Sequence, residues 1–184
     1  TVDPDPTVGF AARSLPRPVE AALRAFEQIR PAAAGSGTGS KATALVQSAG
    51  DWETKQRVVV LDPQSLDPVV ALQGIHRGME VILFADVFGQ PATSSQFLTL
   101  FNLTAQPDET MTSIDAHQLA RLWNPDGASM NVPEMGAGSR FVHVIRRMKV
   151  TPKPGDAVLA AFSDGSPAIL RRASGQGFLS LIAF

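Results

Sequence analysis

The sequence predicts an α/β fold, a mostly parallel central sheet flanked by helices and finished by an antiparallel β-rich C-terminal edge. Three observations carry that expectation. The stretch RVVVLDPQSLDPVVALQGIHRGMEVILFADVFG, residues 57–89, holds a strand, a helix and a second strand with their own punctuation. Residues 19–29, VEAALRAFEQI, place Val19, Leu23, Phe26 and Ile29 at the spacing of an amphipathic helix. The last third carries four short apolar runs separated by turn-forming residues.

In the central unit, residues 58–61 are an apolar β-branched run ended by Asp62-Pro63. Ser65 or Asp67 can cap a helix with Pro68 in its first turn, which closes at Gly78 before the second run, 81–85. Neither run alternates, as expected of parallel strands covered on both faces, and a crossover of this length makes them neighbours. Residues 1–7 read as a tail and 8–12 as a first short strand. Pro16 and Pro18 lead into the 19–29 helix and Pro31 stops it. The following AAAGSGTGSK is a small, polar loop, not a phosphate loop: Ser40 separates Gly39 from Lys41, and an extended segment at 42–47 follows where a helix would be required. Residues 51–56 form a polar connection.

Ser94 or Ser95 can cap a helix through Phe97, Leu98, Leu100 and Phe101. A further helix is expected from about Ser113, with Ile114, Leu119, Leu122 and Trp123 on one face, ended by Asn124-Pro125-Asp126-Gly127. Residues 128–139 suit a rim loop. Residues 141–145, 157–162, 168–171 and 178–184 are then strands. Pro154-Gly155-Asp156, Asp164-Gly165-Ser166-Pro167 and Gly175-Gln176-Gly177 mark the turns, whose short length implies antiparallel pairing of the final three.

The chain has 184 residues, one domain's length, a formal net charge of −1 and no cysteine. Near-neutrality argues against a nucleic-acid partner. The lack of cysteine removes disulfides, thiolate metal sites and thiol nucleophiles together. No apolar run approaches the roughly 18 residues that span a bilayer, so this segment is not expected to insert directly. The opening TVDPDPT and the close on GFLSLIAF suggest a piece of a longer protein.

Two segments together carry a resemblance. VVVLDPQSLDPVVALQGIHRGMEVILFAD resembles the strand, helix and strand of class I glutamine amidotransferase-like (flavodoxin-like) domains, with Arg77-Gly78 where these carry a Gly-Gly pair. AVLAAFSDGSPAILRRASGQGFLSLIAF is similar to the closing hairpins of non-catalytic members. Such endings occur in BatA-like aerotolerance proteins, gliding-motility ABC-transporter auxiliary proteins and the trimerisation domain of certain β-galactosidases. The resemblance spans roughly 41–101 and 141–184. It places the amidotransferase nucleophile at Phe84, Ala85 or Asp86, none a cysteine or serine, and no His-x-Glu pair follows in the last third. It therefore implies a non-enzymatic interaction or assembly domain of a larger bacterial, envelope-associated protein, or an accessory or oligomerisation domain of a carbohydrate-active enzyme. The protein partner, or the remainder of the parent chain, and the compartment, envelope or cytoplasm, stay open, as does oligomeric state.

Among individual residues, Asp86 follows the carboxyl end of a central strand, where open α/β sheets bind ligands, and Asp62 ends the neighbouring strand. Two carboxylates on one rim can bind a ligand or, joined by a histidine, serve a hydrolase; a local turn is the plainer reading of each. His76, His117 and His143 show no metal-ligand spacing, so neither metal nor other cofactor is predicted. Ser163, His143 and Asp164 form a triad only on paper, without a nucleophile elbow. Arg146, Arg147 and Lys149, with Arg171 and Arg172, are the densest positive cluster, fit for an acidic partner or a phosphate, or else a solvated edge that discourages aggregation.

Overall fold

The computed structural model describes residues 8–11, 44–45, 55–61, 67–87, 90–91, 105–119 and 141–184. Its largest element is a seven-stranded sheet. In chain order the strands are β1 (Val8–Ala11), β2 (Ala44–Leu45), β3 (Arg57–Val60), β4 (Glu80–Phe84), β11 (Asp156–Ala161), β12 (Pro167–Ser174) and β13 (Gly177–Ile182). Across the sheet the order is β11-β12-β13-β4-β3-β1-β2. Pairing is parallel from β13 to β2 and antiparallel between β11, β12 and β13, so the sheet is mixed.

The expected strand, helix and strand stand at its centre. Val58, Val60, Val81 and Leu83 are wholly buried and Val59 and Ile82 nearly so. Both faces of β3 and β4 are therefore covered, which is why the runs are apolar without alternation. Between them runs α1 (Pro68–His76), capped by Asp67, whose carboxylate accepts the Val69 N–H at 2.8 Å. Pro68 follows at the first helical position, where a missing N–H costs nothing. Gly78, at φ +106°, turns the chain out of the helix, its own N–H donating to the Ile75 carbonyl. Asp67→Ala is expected to lower stability by about 1 kcal/mol, read as a shift in urea midpoint at unchanged slope.

The α/β class does not survive. The described residues hold thirteen strands and two helices, the second, α2 (Ala116–Leu119), a single turn. Three two-stranded antiparallel pairs accompany the mixed sheet: β5 (Asp86–Val87) with β6 (Gln90–Pro91), β7 (Ala105–Asp108) with β10 (Arg147–Val150), and β8 (Thr112–Asp115) with β9 (Phe141–Val144). The fold is β-rich. The helix expected from Ser113 shows the physical reason. Thr112 and Ile114 are buried while Ser113 and Asp115 are only partly so, a period of two that pairs with β9. Helix begins only after Asp115, whose carboxylate caps the His117 N–H at 2.9 Å. The helices expected at 19–29 and after Ser94, and the loop at 128–139, lie outside the described residues.

The closing hairpins dock onto α1. Met79 accepts the Phe178 N–H at 3.0 Å, and Gly175, at φ +62°, lies against His76. A Cβ on Gly175 would come within 2.8 Å of the His76 Cα. The Met148 N–H donates to Ala183 at 2.7 Å, tying β10 to the end of the sheet.

Candidate interaction surface

The structure sorts the expected arginines by partner. On β10, Arg147 is 5% exposed. Its Nε and Nη2 donate to Asp108 Oδ2 at 3.0 and 2.8 Å, Nη2 also to Asp164 Oδ2 at 2.7 Å, and Nη1 to Ser166 Oγ at 2.7 Å. The guanidinium also lies 5.0 Å from the centre of the Phe162 ring. Hydrogen bonds from Thr110, then from Arg147, lower the Asp108 pKa to about 2. Arg147, helped by Ser166, holds the Asp164 carboxyl well below the usual carboxylate range, and Asp164 in turn raises the Arg147 pKa. This cation fastens the β7–β10 pair to the 162–167 turn.

Arg172 pairs with Asp156 across β11 and β12, Nε to Oδ1 at 2.6 Å and Nη2 to Oδ2 at 2.9 Å, which lowers the aspartate pKa. Arg171, the next residue on β12, points to the other face. There Glu80, 4% exposed, accepts from Arg57 Nε at 2.7 Å and from Ser180 Oγ at 2.6 Å, with Arg171 Nε 3.5 Å away. Arg146 is half-buried. Of the carboxylates expected at a ligand rim, Asp62 lies outside the described residues, and Asp86 opens β5 directly beyond β4, paired with Pro91. Ser163 Oγ meets Thr112 Oγ1 at 3.1 Å, and Asp164 serves Arg147 and Ser166. Among the described residues no group of three or more His, Asp or Glu side chains is placed to hold a metal ion, and no helix is long and apolar enough to cross a membrane.

The β8–β9 ribbon has another character. Ile114 and Val144 are 1% and 6% exposed and face inward. The Ser163 N–H, donating to the Ser113 carbonyl at 2.8 Å, and the bridge between Ile114 and Phe162 hold the ribbon beside β11. Outward and at its ends stand Met111 at 71%, Ile145 at 75% and Phe141 at 51% exposure, while Val142, on the row of Ile114 and Val144, is 39% exposed. Continuing the register Thr112↔Val144 by one residue sets Met111 beside Ile145. The sequence offers apolar strand surface at the β-rich end for a second subunit but singles out no residue of this ribbon. Its signal was the run Phe-Val-His-Val-Ile at 141–145, apolar at four of five positions and without Lys, Arg, Asp or Glu. A strand so composed lacks the charge or proline that usually guards an edge.

No protein family and no curated protein sequence matches the chain. Among solved structures it is similar to the exo-β-1,4-mannosidase Op5Man5 from Opitutaceae bacterium strain TAV5, with a TM-score of 0.51 and 13% identity over 96% of this chain and 31% of that one. It is also similar to the GH42 β-galactosidase Gan42B, at 0.53 and 9% identity over 98% of this chain and 27% of that one. A cytoplasmic protein from Salmonella typhimurium gives 0.50 and 7% identity over 76% of this chain and 64% of that one. The chain thus spans less than two thirds of the length of each of these structures. At these identities the likeness is one of fold, and the fold it shares is found within a mannosidase and a GH42 β-galactosidase.

Proposed function

We propose that this chain is an accessory, self-associating domain of a carbohydrate-active enzyme. The observation that carries the reading is the exposed apolar ribbon of Met111, Phe141, Val142 and Ile145. The fold likeness to portions of two glycosidases, each much longer than this chain, supports the kind of parent protein. An interaction role in an envelope assembly rests on the same ribbon but has no fold likeness behind it.

A second copy is the occupant the ribbon fits. In antiparallel pairing of two β9 edges about a two-fold axis at His143, Phe141 meets Ile145 of the other copy and Val142 meets Val144. No like-charged side chains of residues 141–145 are then opposed. Sedimentation velocity over a concentration series tests this. The wild type is expected to associate reversibly, and Ile145→Lys to weaken association by roughly tenfold or more, because a lysine ammonium in an apolar seam has no partner. The thermal midpoint should stay nearly unchanged, since Ile145 is exposed in the single copy. A wild type that stays monomeric at every concentration refutes self-association.

A further inference from the structure

Arg171 differs from Arg147 and Arg172 in what it lacks. Its guanidinium carbon lies 3.8 Å from the centre of the Phe178 ring, so the group rests on an aromatic floor. The side chain is 13% exposed. Yet none of its N–H groups makes a hydrogen bond among the described residues, and Nε is buried without a hydrogen-bond partner. Glu80 Oε1 forms an ion pair with it at 3.5 Å from Nε but accepts no hydrogen bond from it, and the carboxylate is already engaged by Arg57 and Ser180. Arg147 shows the usual condition of a buried guanidinium, with acceptors at Nε and at both terminal nitrogens.

The surroundings leave an approach. Arg171 pairs with Ala157 on the edge strand β11, and two residues along the same face of β12 stands Ala173, paired with Phe178. Both alanines are exposed. Among the described residues, methyl groups and not long side chains therefore flank Arg171 along this face. A planar fork of donors, stacked on a ring and hydrogen-bonded to no acceptor among the described residues, matches the geometry of an oxyanion.

We propose that Arg171 is the receptor of a small-molecule oxyanion site, for a carboxylate or phosphate group, with Phe178 as floor and Ala157 and Ala173 at the mouth. The site goes beyond the accessory-domain reading and stands or falls without it, since it lies on β12 and not on the β8–β9 ribbon.

Arginine Nε–Hε resonances of the nitrogen-15-labelled protein test the assignment. Sodium acetate or sodium phosphate is added against sodium chloride at matched ionic strength, the Arg171 signal being identified by its absence in Arg171→Lys. The expected result is a saturable shift of that signal with acetate or phosphate and not with chloride. The oxyanion that saturates at lower concentration tells whether the site takes carboxylate or phosphate. Ala157→Glu provides a tethered occupant, because residue 157 is directly opposite Arg171. It is expected to abolish the acetate and phosphate response and to raise the thermal midpoint by about 2 °C. A response no different from chloride, or one that persists in Ala157→Glu, overturns the proposal.

Discussion

Replacing Gly177 by alanine is expected to destabilise the fold by about 3–5 kcal/mol, the largest effect of any single methyl in the described residues. An added Cβ would overlap the Met79 and Ile75 carbonyl oxygens and stand 2.9 Å from the Gly78 carbonyl carbon. All three are backbone atoms at the exit of α1, so no side chain can rotate away. The strand would have to leave the helix, taking with it the Phe178 N–H bond to Met79. The cause is contact and not dihedral strain, because Gly177 has no left-handed φ. Gly155→Ala separates the two effects: its φ is +91° and nothing lies within 4 Å of the added atom. That control is expected to cost about 1–2 kcal/mol from backbone conformation alone. Urea unfolding of both variants provides the comparison. A Gly177→Ala protein no less stable than Gly155→Ala contradicts the packing of the closing hairpin on α1.

Arg147→Met is expected to cost about 2–3 kcal/mol, near the low end for removing one partner of a buried ion pair. Methionine keeps much of the volume, but Asp108 and Asp164 are left facing each other without their shared cation. Asp164, whose side chain is 45% exposed, can still be hydrated, which limits the loss. The pH dependence follows from the lowered carboxyl pKa values. A group whose pKa falls on folding stabilises the fold above its unfolded value, here 3.8, and loses that contribution as pH drops through the folded value, about 2 for Asp108. Wild-type stability should therefore decline between about pH 4 and pH 2. In Arg147→Met the decline should be shallower, mainly through Asp164, whose largest stabilising contact is Arg147. For Asp108 the Thr110 bonds persist and keep part of the slope. Equal pH slopes in the two proteins would show that Arg147 does not hold these carboxylates ionised.

The parts of the fold that could be read from the chain are those whose causes are local. Val58, Val59 and Val60, then Val81, Ile82 and Leu83, announce strands covered on both faces, and Asp67, Pro68 and Gly78 mark where the helix between them starts and stops. The turns at Pro154-Gly155, Asp164-Gly165 and Gly175 were equally legible, since glycines with φ of +91°, +82° and +62° sit in them. Residues 112–115 are ambiguous as a sequence. Ile114 with Leu119 and Leu122 fits a helical face, while Thr112 with Ile114 fits a strand face, and only pairing with β9 decides between them. That one segment, with β7 and β10, helps carry the described fold from α/β to β-rich.

By itself the sequence determined the central strand, helix and strand, the three closing strands and the absence of cysteine chemistry, because propensity, capping and turn geometry act over a few residues. Which arginine is fully hydrogen-bonded, which has no hydrogen bond among the described residues, and which apolar run is exposed were decided only by tertiary structure. Asp108, Asp164 and Asp156 reach their arginines across 39, 17 and 16 residues of chain, and Arg147 and Arg171 look alike in a string of letters. Charge pairing and burial depend on distance in space, and that distance exists only once the sheet has set the strands side by side.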